Sequence, residues 1–238
     1  MANGKHWEWR GFGTVSDAFE KAFLALPVIE EYASTDVEPG KGIPVQDEYL
    51  YIPHATINVK LRTGLGDKDG LKLKYFKVRD GELELWDEPQ GCTIRLQELT
   101  PDKFTNFLGP TLHMKFPAIP SGPINAQTIR ALFCAATPAA TPVLVKKHRR
   151  TRRWTGSGQP VLVEIAEIAE PEGVVSVSLE SDSDLTNAGL NELAHSKDSV
   201  LAALDVLKLR QEKLSVMSYL DALQLWANKD TVLKVPRS

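Results

Sequence analysis

Charged and apolar residues alternate along several separate segments of this chain, and this alternation constrains the fold more than any other feature. In a β-strand, residues i and i+2 lie on the same face. Lys60 and Arg62 therefore share one face of a predicted strand, while Val59 and Leu61 share the other. The same spacing places these further pairs on single faces: Glu8 with Arg10, Lys72 with Lys74, and Lys147 with Arg149.

Faces of this kind cannot lie in a dry core, because removing an unpaired cation from water costs several kcal/mol. They must face water, a partner or an anionic ligand. A sheet with one solvated polar face remains an alternative for any single strand. Several strands with cations at alternate positions favour an anion instead, because like charges on one face repel each other unless a polyanion neutralises them.

The period of two predicts short antiparallel strands arranged as a meander or barrel. Strands are expected over about 6–99 and 143–180, a proline-rich insertion of helices and loops over about 101–142, and C-terminal helices over about 185–228. Because the alternation resumes after the insertion, the sequence predicts one α+β domain covering residues 1–238.

The sequence also predicts the bounds of one strand and three helices within these regions. Residues 91–99 are predicted to form a strand. Residues 185–194 and 197–210 are predicted to form two separate helices. The last helix is predicted over residues 215–228, with an apolar stripe that must pack on another element.

Composition is that of an ordinary globular protein, with 42% apolar and 25% charged residues among 238. No stretch approaches the roughly 20 apolar residues that span a bilayer, and the first residues do not have the pattern of a signal peptide. We therefore expect a cytoplasmic protein without a membrane partner. Cys92 and Cys134 have no metal-site spacing.

The net charge of −3 conceals an uneven distribution. Residues 146–153 carry six lysines and arginines and no acid. Such a run is compatible with phosphate contacts to a nucleic acid. The negative net charge and the lack of interleaved aromatic residues disfavour that interpretation.

The order of these segments resembles the CYTH superfamily of triphosphate tunnel metalloenzymes, which includes inorganic triphosphatases, thiamine-triphosphatase-like proteins and class IV adenylyl cyclases. The likeness covers roughly residues 6–226, and each motif is short. The matching motifs are Trp7-Glu8-Trp9-Arg10, Asp47-Glu48-Tyr49, Lys60-Leu61-Arg62, Leu73-Lys74, Lys147-His148-Arg149, the acidic strand 163–168, Ser178-Leu179-Glu180 and Ser218-Tyr219-Leu220.

This resemblance implies an eight-stranded antiparallel barrel, with flanking helices, whose interior binds a triphosphate or polyphosphate. It implies phosphate contacts from Arg10, Lys60, Arg62, Lys74, Lys147 and Arg149, to which the alternation adds Lys72. It also implies Mg²⁺ or Mn²⁺ as cofactor, with Glu8, Glu164 and Glu180 as ligands, and a phosphohydrolase in which Glu8 and Glu180 are the catalytic carboxylates.

The chain differs from the family pattern at two places. The family's first strand reads E-x-E-x-K, whereas the same alternate positions here are His6, Glu8 and Arg10. The family's late E-x-E motif is Ser178-x-Glu180. Fewer carboxylates predict a weaker metal site, so a non-catalytic binding or sensor module for a phosphorylated ligand stays open beside the hydrolase.

One further choice is left open by the sequence, namely which acid of the strand 163–168 faces the barrel interior. Glu164 and Glu167 lie on opposite faces of this strand, because they are three residues apart. A shift of one residue in register would therefore exchange which of them faces inward.

Overall fold

The computed structural model of the protein describes residues 4–29, 42–63, 69–89, 91–108, 112–156, 158–182 and 188–234. Its strands are β1 (Gly4–Thr14), β2 (Ile43–Tyr51), β3 (Ile57–Arg62), β4 (Gly70–Asp80), β5 (Leu83–Glu88), β6 (Thr93–Arg95), β7 (Thr141–Trp154), β8 (Val161–Glu170), β9 (Val174–Ser181) and β10 (Lys213–Val216). Its α-helices are α1 (Asp17–Leu24), α2 (Pro101–Leu108), α3 (Ala126–Ala135), α4 (Leu190–Val206) and α5 (Tyr219–Ala227).

Eight of the strands form a closed antiparallel ring. Their order around the ring is β1, β5, β4, β3, β2, β7, β8 and β9, and β9 pairs with β1 to close it. The short strand β6 pairs with β4, and β10 pairs with β1 over residues 11–14, beyond the point at which β5 leaves β1. The predicted α+β class and the eight-stranded barrel are therefore confirmed.

Apolar layers cover two outer sides of the ring. On one side, α1 and α4 pack on outward-facing side chains of β1, β8 and β9, including Trp7, Val163 and Leu179. On another side, the helices of the insertion pack on β3 and β4 through residues such as Val59 and Leu73. Because the outward faces are the buried apolar ones, the alternation turns the charged faces into the ring.

Helix α5 covers one end of the barrel. Its Tyr219, Leu223 and Trp226 pack against Phe12 of β1 and Tyr49 of β2, together with apolar side chains of β7, β8 and β9. The ring of Tyr219 stacks on that of Tyr49 with 4.8 Å between centroids. The interior is thus apolar at the α5 end and charged further along the barrel.

Three local predictions differ from the structure. The predicted strand over residues 91–99 is only β6, followed by a 3-10 turn over Leu96–Glu98. The two predicted helices are the single helix α4, in which the hydroxyl of Ser199 donates to the carbonyl of His195, so the polar residues do not break the helix. Residues 185–187 of that prediction lie outside the described residues.

The last helix begins at residue 219 rather than 215, because residues 213–216 form β10 along the free edge of β1. Ser218 caps the helix: its hydroxyl accepts the amide of Asp221, and the Asp221 carboxylate accepts the amide of Ser218. None of the helices in the described part of the chain is long and apolar enough to cross a membrane.

Leu223→Ala is expected to lower the free energy of unfolding by about 2–5 kcal/mol, because it leaves a cavity where α5 closes the barrel. Chemical denaturation followed by tryptophan fluorescence measures this change. Gln224→Ala, at an exposed position of the same helix, should shift the free energy by no more than about 0.5 kcal/mol. Equal effects of the two substitutions would contradict the packing of α5 described here.

Candidate functional site

The charged interior surrounds a small cavity of about 80 Å³. Seven cationic side chains and four carboxylates among the described residues line it. The cations are Arg10, Lys60, Arg62, Lys72, Lys74, Lys147 and Arg149, and the carboxylates are Glu8, Glu88, Glu164 and Glu180.

The structure therefore brings every site residue predicted from the sequence to the wall of one cavity. This includes Glu8, Glu164 and Glu180, which were predicted to bind metal. Glu164 faces the interior, whereas Glu167 is 58% exposed and pairs with Arg150 on the outer surface. The roles of these residues remain predictions.

Glu8 is the centre of the first group of ion pairs. One of its carboxylate oxygens accepts from Arg10 Nε at 2.7 Å, and the other accepts from Lys74 Nζ at 2.5 Å. Burial alone would raise the pKa of Glu8, but Lys74 and Arg10 outweigh burial and hold that pKa far below its usual value. Glu8 also lies directly opposite Glu84 on one side and Glu180 on the other.

Asp47, which is fully buried, organises the second group. Its carboxylate accepts two hydrogen bonds from Arg62, at 2.7 and 2.9 Å, and lies 3.8 Å from Lys60 Nζ. Burial lowers the pKa of Lys60; Asp47 opposes this, while the neighbouring cations reinforce it, and the result is a pKa of about 7. Lys60 also lies directly across from Lys72 in the sheet.

Glu88 and Glu164 hold the remaining cations. Glu88 pairs with Lys72 and lies 3.7 Å from Lys74, and Glu164 pairs with Arg149 at 2.5 Å. Burial would raise the pKa of both carboxyl groups, but the cations around them lower each pKa to about 2. Acids from β1, β2, β5 and β8 thus neutralise cations from β1, β3, β4 and β7.

The site is compact and carries excess positive charge. An anion that binds among these cations has to replace carboxylates as their partner, because the cations are already paired. The surplus of cations over carboxylates favours this exchange electrostatically.

Tyr219 of α5 lines the end of the cavity that is nearest to that helix. The Arg10 guanidinium lies 5.0 Å from the centroid of its ring, and Lys147 Nζ lies 5.5 Å from the same centroid. Cation–π contacts of this kind hold the two cations at the inner end of the site without occupying their hydrogen-bond donors.

A group of three potential metal ligands lies beside the Glu8 ion pairs; Glu8 and Glu180 were predicted from the sequence as metal ligands, and His6 was not. One ring nitrogen of His6 and one carboxylate oxygen each of Glu8 and Glu180 lie within 4.8 Å of one another. In the sequence, His6 was interpreted only as the loss of a family glutamate. Its position two residues before Glu8, on the same strand face, was the signal that could have identified it as a ligand. Glu164 lies with Lys147 and Arg149 instead, and its assignment as a metal ligand stays a prediction.

A second and larger cavity, of about 510 Å³, adjoins the first. Glu8 and Arg10 line both cavities. The larger one is further bounded by charged residues of the β4–β5 hairpin and of the segment before β10, which include Arg79, Glu82 and Arg210.

Most of the other cations of the basic run 146–153 are paired with carboxylates outside the cavity. Arg150 pairs with Glu20 and Glu167, Lys146 pairs with Glu170, and Arg153 pairs with Asp182. The inward-facing Lys147 and Arg149 belong to the cavity. The run therefore does not form a continuous cationic surface.

Comparisons with known proteins identify no family for this chain. No family model and no curated protein matches it. Among solved structures, a conserved hypothetical protein from Pyrococcus furiosus aligns over 90% of this chain and 98% of its own, with 14% identity and a TM-score of 0.48. A Bacillus halodurans protein provisionally named as an adenylate cyclase aligns over 86% of this chain and 91% of its own, with 11% identity and a TM-score of 0.40. At TM-scores below 0.5, neither likeness supports a statement about this chain's activity.

Lys60 is expected to titrate near pH 7, about three units below an ordinary lysine at ~10.4. Asp47→Asn should lower the midpoint further, because it removes the carboxylate that favours the charged form. Lysine side-chain NMR measures both midpoints, and Glu20→Gln, outside the barrel, should leave the value unchanged. A wild-type midpoint near pH 10 would show that Lys60 is not desolvated.

Proposed function

We propose that this protein binds a triphosphate or polyphosphate inside its barrel, as the resemblance to the CYTH superfamily implies. The observation that supports this best is that all seven predicted phosphate contacts, which come from four strands, line one cavity. Arginine and lysine are the side chains that match phosphate oxygens in charge and geometry.

Binding is expected to proceed by exchange of partners. In the ligand-free protein, carboxylates such as Glu8 and Asp47 satisfy the cations. A phosphate chain offers more negative charge in the same space, so it replaces those carboxylates as partner of the cations. Lys60, with its pKa of about 7, takes up a proton when an anion binds near neutral pH, because the anion favours the charged form.

Tripolyphosphate should stabilise the protein even with a chelator present. At a ligand concentration of ~100 Kd the gain is about 2.7 kcal/mol, which corresponds to a rise in Tm of roughly 5–10 °C for a chain of this size. Arg62→Ala and Lys74→Ala should abolish most of this rise, because each removes a cation from the cavity wall. Thermal unfolding with and without ligand measures it.

Lys77→Ala is the matched control, because Lys77 lies on the same strand as Lys74 but faces outward to Asp87. It should keep the full rise in Tm. The ligand-induced change is compared, rather than the Tm itself, since Lys74→Ala also leaves Glu8 without one partner. An unchanged rise in both Arg62→Ala and Lys74→Ala would refute binding inside the barrel.

Metal-dependent hydrolysis of the bound compound is the more specific proposal, with Mg²⁺ or Mn²⁺ held by Glu8 and Glu180 and with Glu164 as a further candidate. The donor set fits a divalent ion, because two carboxylates and a ring nitrogen converge within 4.8 Å. When bound, such an ion neutralises phosphate charge and activates water. The protein's own contribution is to orient the phosphates through Arg10, Lys74 and the other cations and to place the carboxyl groups of Glu8 and Glu180 beside them.

Phosphate release from tripolyphosphate, ATP or thiamine triphosphate should require Mg²⁺ or Mn²⁺ and should fall to background in Glu8→Gln. Colorimetric phosphate assays with and without metal test this. Glu167→Gln, on the outer face of β8, should retain the activity. Stabilisation by tripolyphosphate without turnover on any of these compounds would instead support the non-catalytic binding or sensor module.

A further inference from the structure

The geometry of the barrel brings three potential metal ligands together from two strands. Glu8 and Glu180 are directly opposite each other in the β1–β9 pairing. His6 lies two residues before Glu8, on the same inward face. The three ligand atoms lie within 4.8 Å of one another, and neighbouring ligands of an ion bound at about 2.1 Å are ~3.0–3.6 Å apart. A contraction of up to roughly 1–2 Å between these atoms would close the group around an ion.

His6 is the member that shows what this group is suited to bind. Only 3% of His6 is exposed to solvent. Nδ1 lies 3.3 Å from the carbonyl oxygen of Gly4, which places the ring proton on Nδ1 as donor. Nε2, which is then the lone-pair nitrogen, has no hydrogen-bond partner among the described residues. A buried acceptor without a partner is costly, and a metal ion would satisfy it.

The hydrogen bond to Gly4 is also the arrangement that metal-binding histidines use. A ligating imidazole commonly donates its other N–H to a backbone carbonyl or carboxylate, which fixes both the tautomer and the direction of the lone pair. The contact between His6 and Gly4 supplies that support from within β1 itself.

We propose that His6, Glu8 and Glu180 bind a first-row transition ion in preference to Mg²⁺. Mg²⁺ favours oxygen ligands in a nearly regular octahedron, whereas an imidazole nitrogen favours ions later in the transition series, with affinity rising from Mn²⁺ through Co²⁺. With three protein ligands, the remaining coordination positions stay open to water or to an anion in the cavity.

The ion pairs around Glu8 allow this change of partner. Lys74 now contacts Glu8 but already lies 3.7 Å from Glu88, so it can move to Glu88 when an ion takes its place. Arg10 also has Ser176, whose hydroxyl it reaches at 2.9 Å. Lys74 therefore keeps a carboxylate partner when Glu8 turns to a metal, and Arg10, which also lies 3.5 Å from Glu180, keeps the hydroxyl of Ser176.

Metal binding to the ligand-free protein tests the proposal independently of polyphosphate binding, which is measured with chelator present. Isothermal titration should show Zn²⁺, Co²⁺ and Mn²⁺ binding tighter than Mg²⁺. Pulsed EPR of the Mn²⁺-loaded protein should show ¹⁴N coupling from one imidazole. His6→Gln should remove the coupling and weaken Mn²⁺ binding by at least about tenfold, the range seen when even an outer partner of a ligand is lost.

His6→Glu provides a second variant, which should bind Mn²⁺ without ¹⁴N coupling and should bring the affinity for Mg²⁺ closer to that for Mn²⁺. His148→Gln, on the exposed outer face of β7, is the matched control and should behave as wild type. Circular dichroism confirms that each variant is folded. The proposal is overturned if wild type binds none of these ions, binds Mg²⁺ as tightly as Mn²⁺, or lacks ¹⁴N coupling, or if the coupling persists in His6→Gln.

Discussion

The barrel depends on the pairing of buried charges across neighbouring strands. A closed ring turns one face of every strand inward, and here that face carries lysines and arginines. Their desolvation would destabilise the fold unless each found a nearby anion. Asp47 forms ion pairs with Lys60 and Arg62, and Glu8 forms ion pairs with Arg10 and Lys74. Glu88 and Glu164 form ion pairs with other cations of the interior in the same way. These carboxylates stand where a phosphate chain is proposed to bind, so the stability of the empty barrel and its affinity for anions are opposed.

Much of the barrel could be predicted from local sequence because strand parity is a local property. The alternation along β3, β4 and β7 was sufficient to assign Lys60, Lys74 and Arg149 to a charged face, and the structure places that face inside. The partners of these residues are long-range features. Asp47 and Glu88 were not recognised as the acids that neutralise the cations, because the alternation along a strand does not state which strands become neighbours in the closed ring.

Register and strand edges explain the other differences. The choice between Glu164 and Glu167 depended on a shift of one residue, and the pairing of β8 with β9, which sets Glu164 opposite Ser178, decides it. Strand β10 exists because β5 leaves β1 early and exposes its edge, a circumstance that residues 213–216 do not reveal by themselves. His6 was overlooked because it was compared with a glutamate at that position, whereas its burial and its unpaired nitrogen appear only in three dimensions.

Glu8 and Arg10 form the partition between the two cavities, and they are bonded to each other. A group that settles in the larger cavity and draws Arg10 toward itself changes the charge that the smaller cavity presents. For such a group, the reciprocity of linked equilibria requires that an occupant of the smaller cavity change the affinity of the larger cavity by the same factor. The ion pair between Glu8 and Arg10 thus borders both cavities, and a ligand that breaks it from one side changes the charge presented to the other.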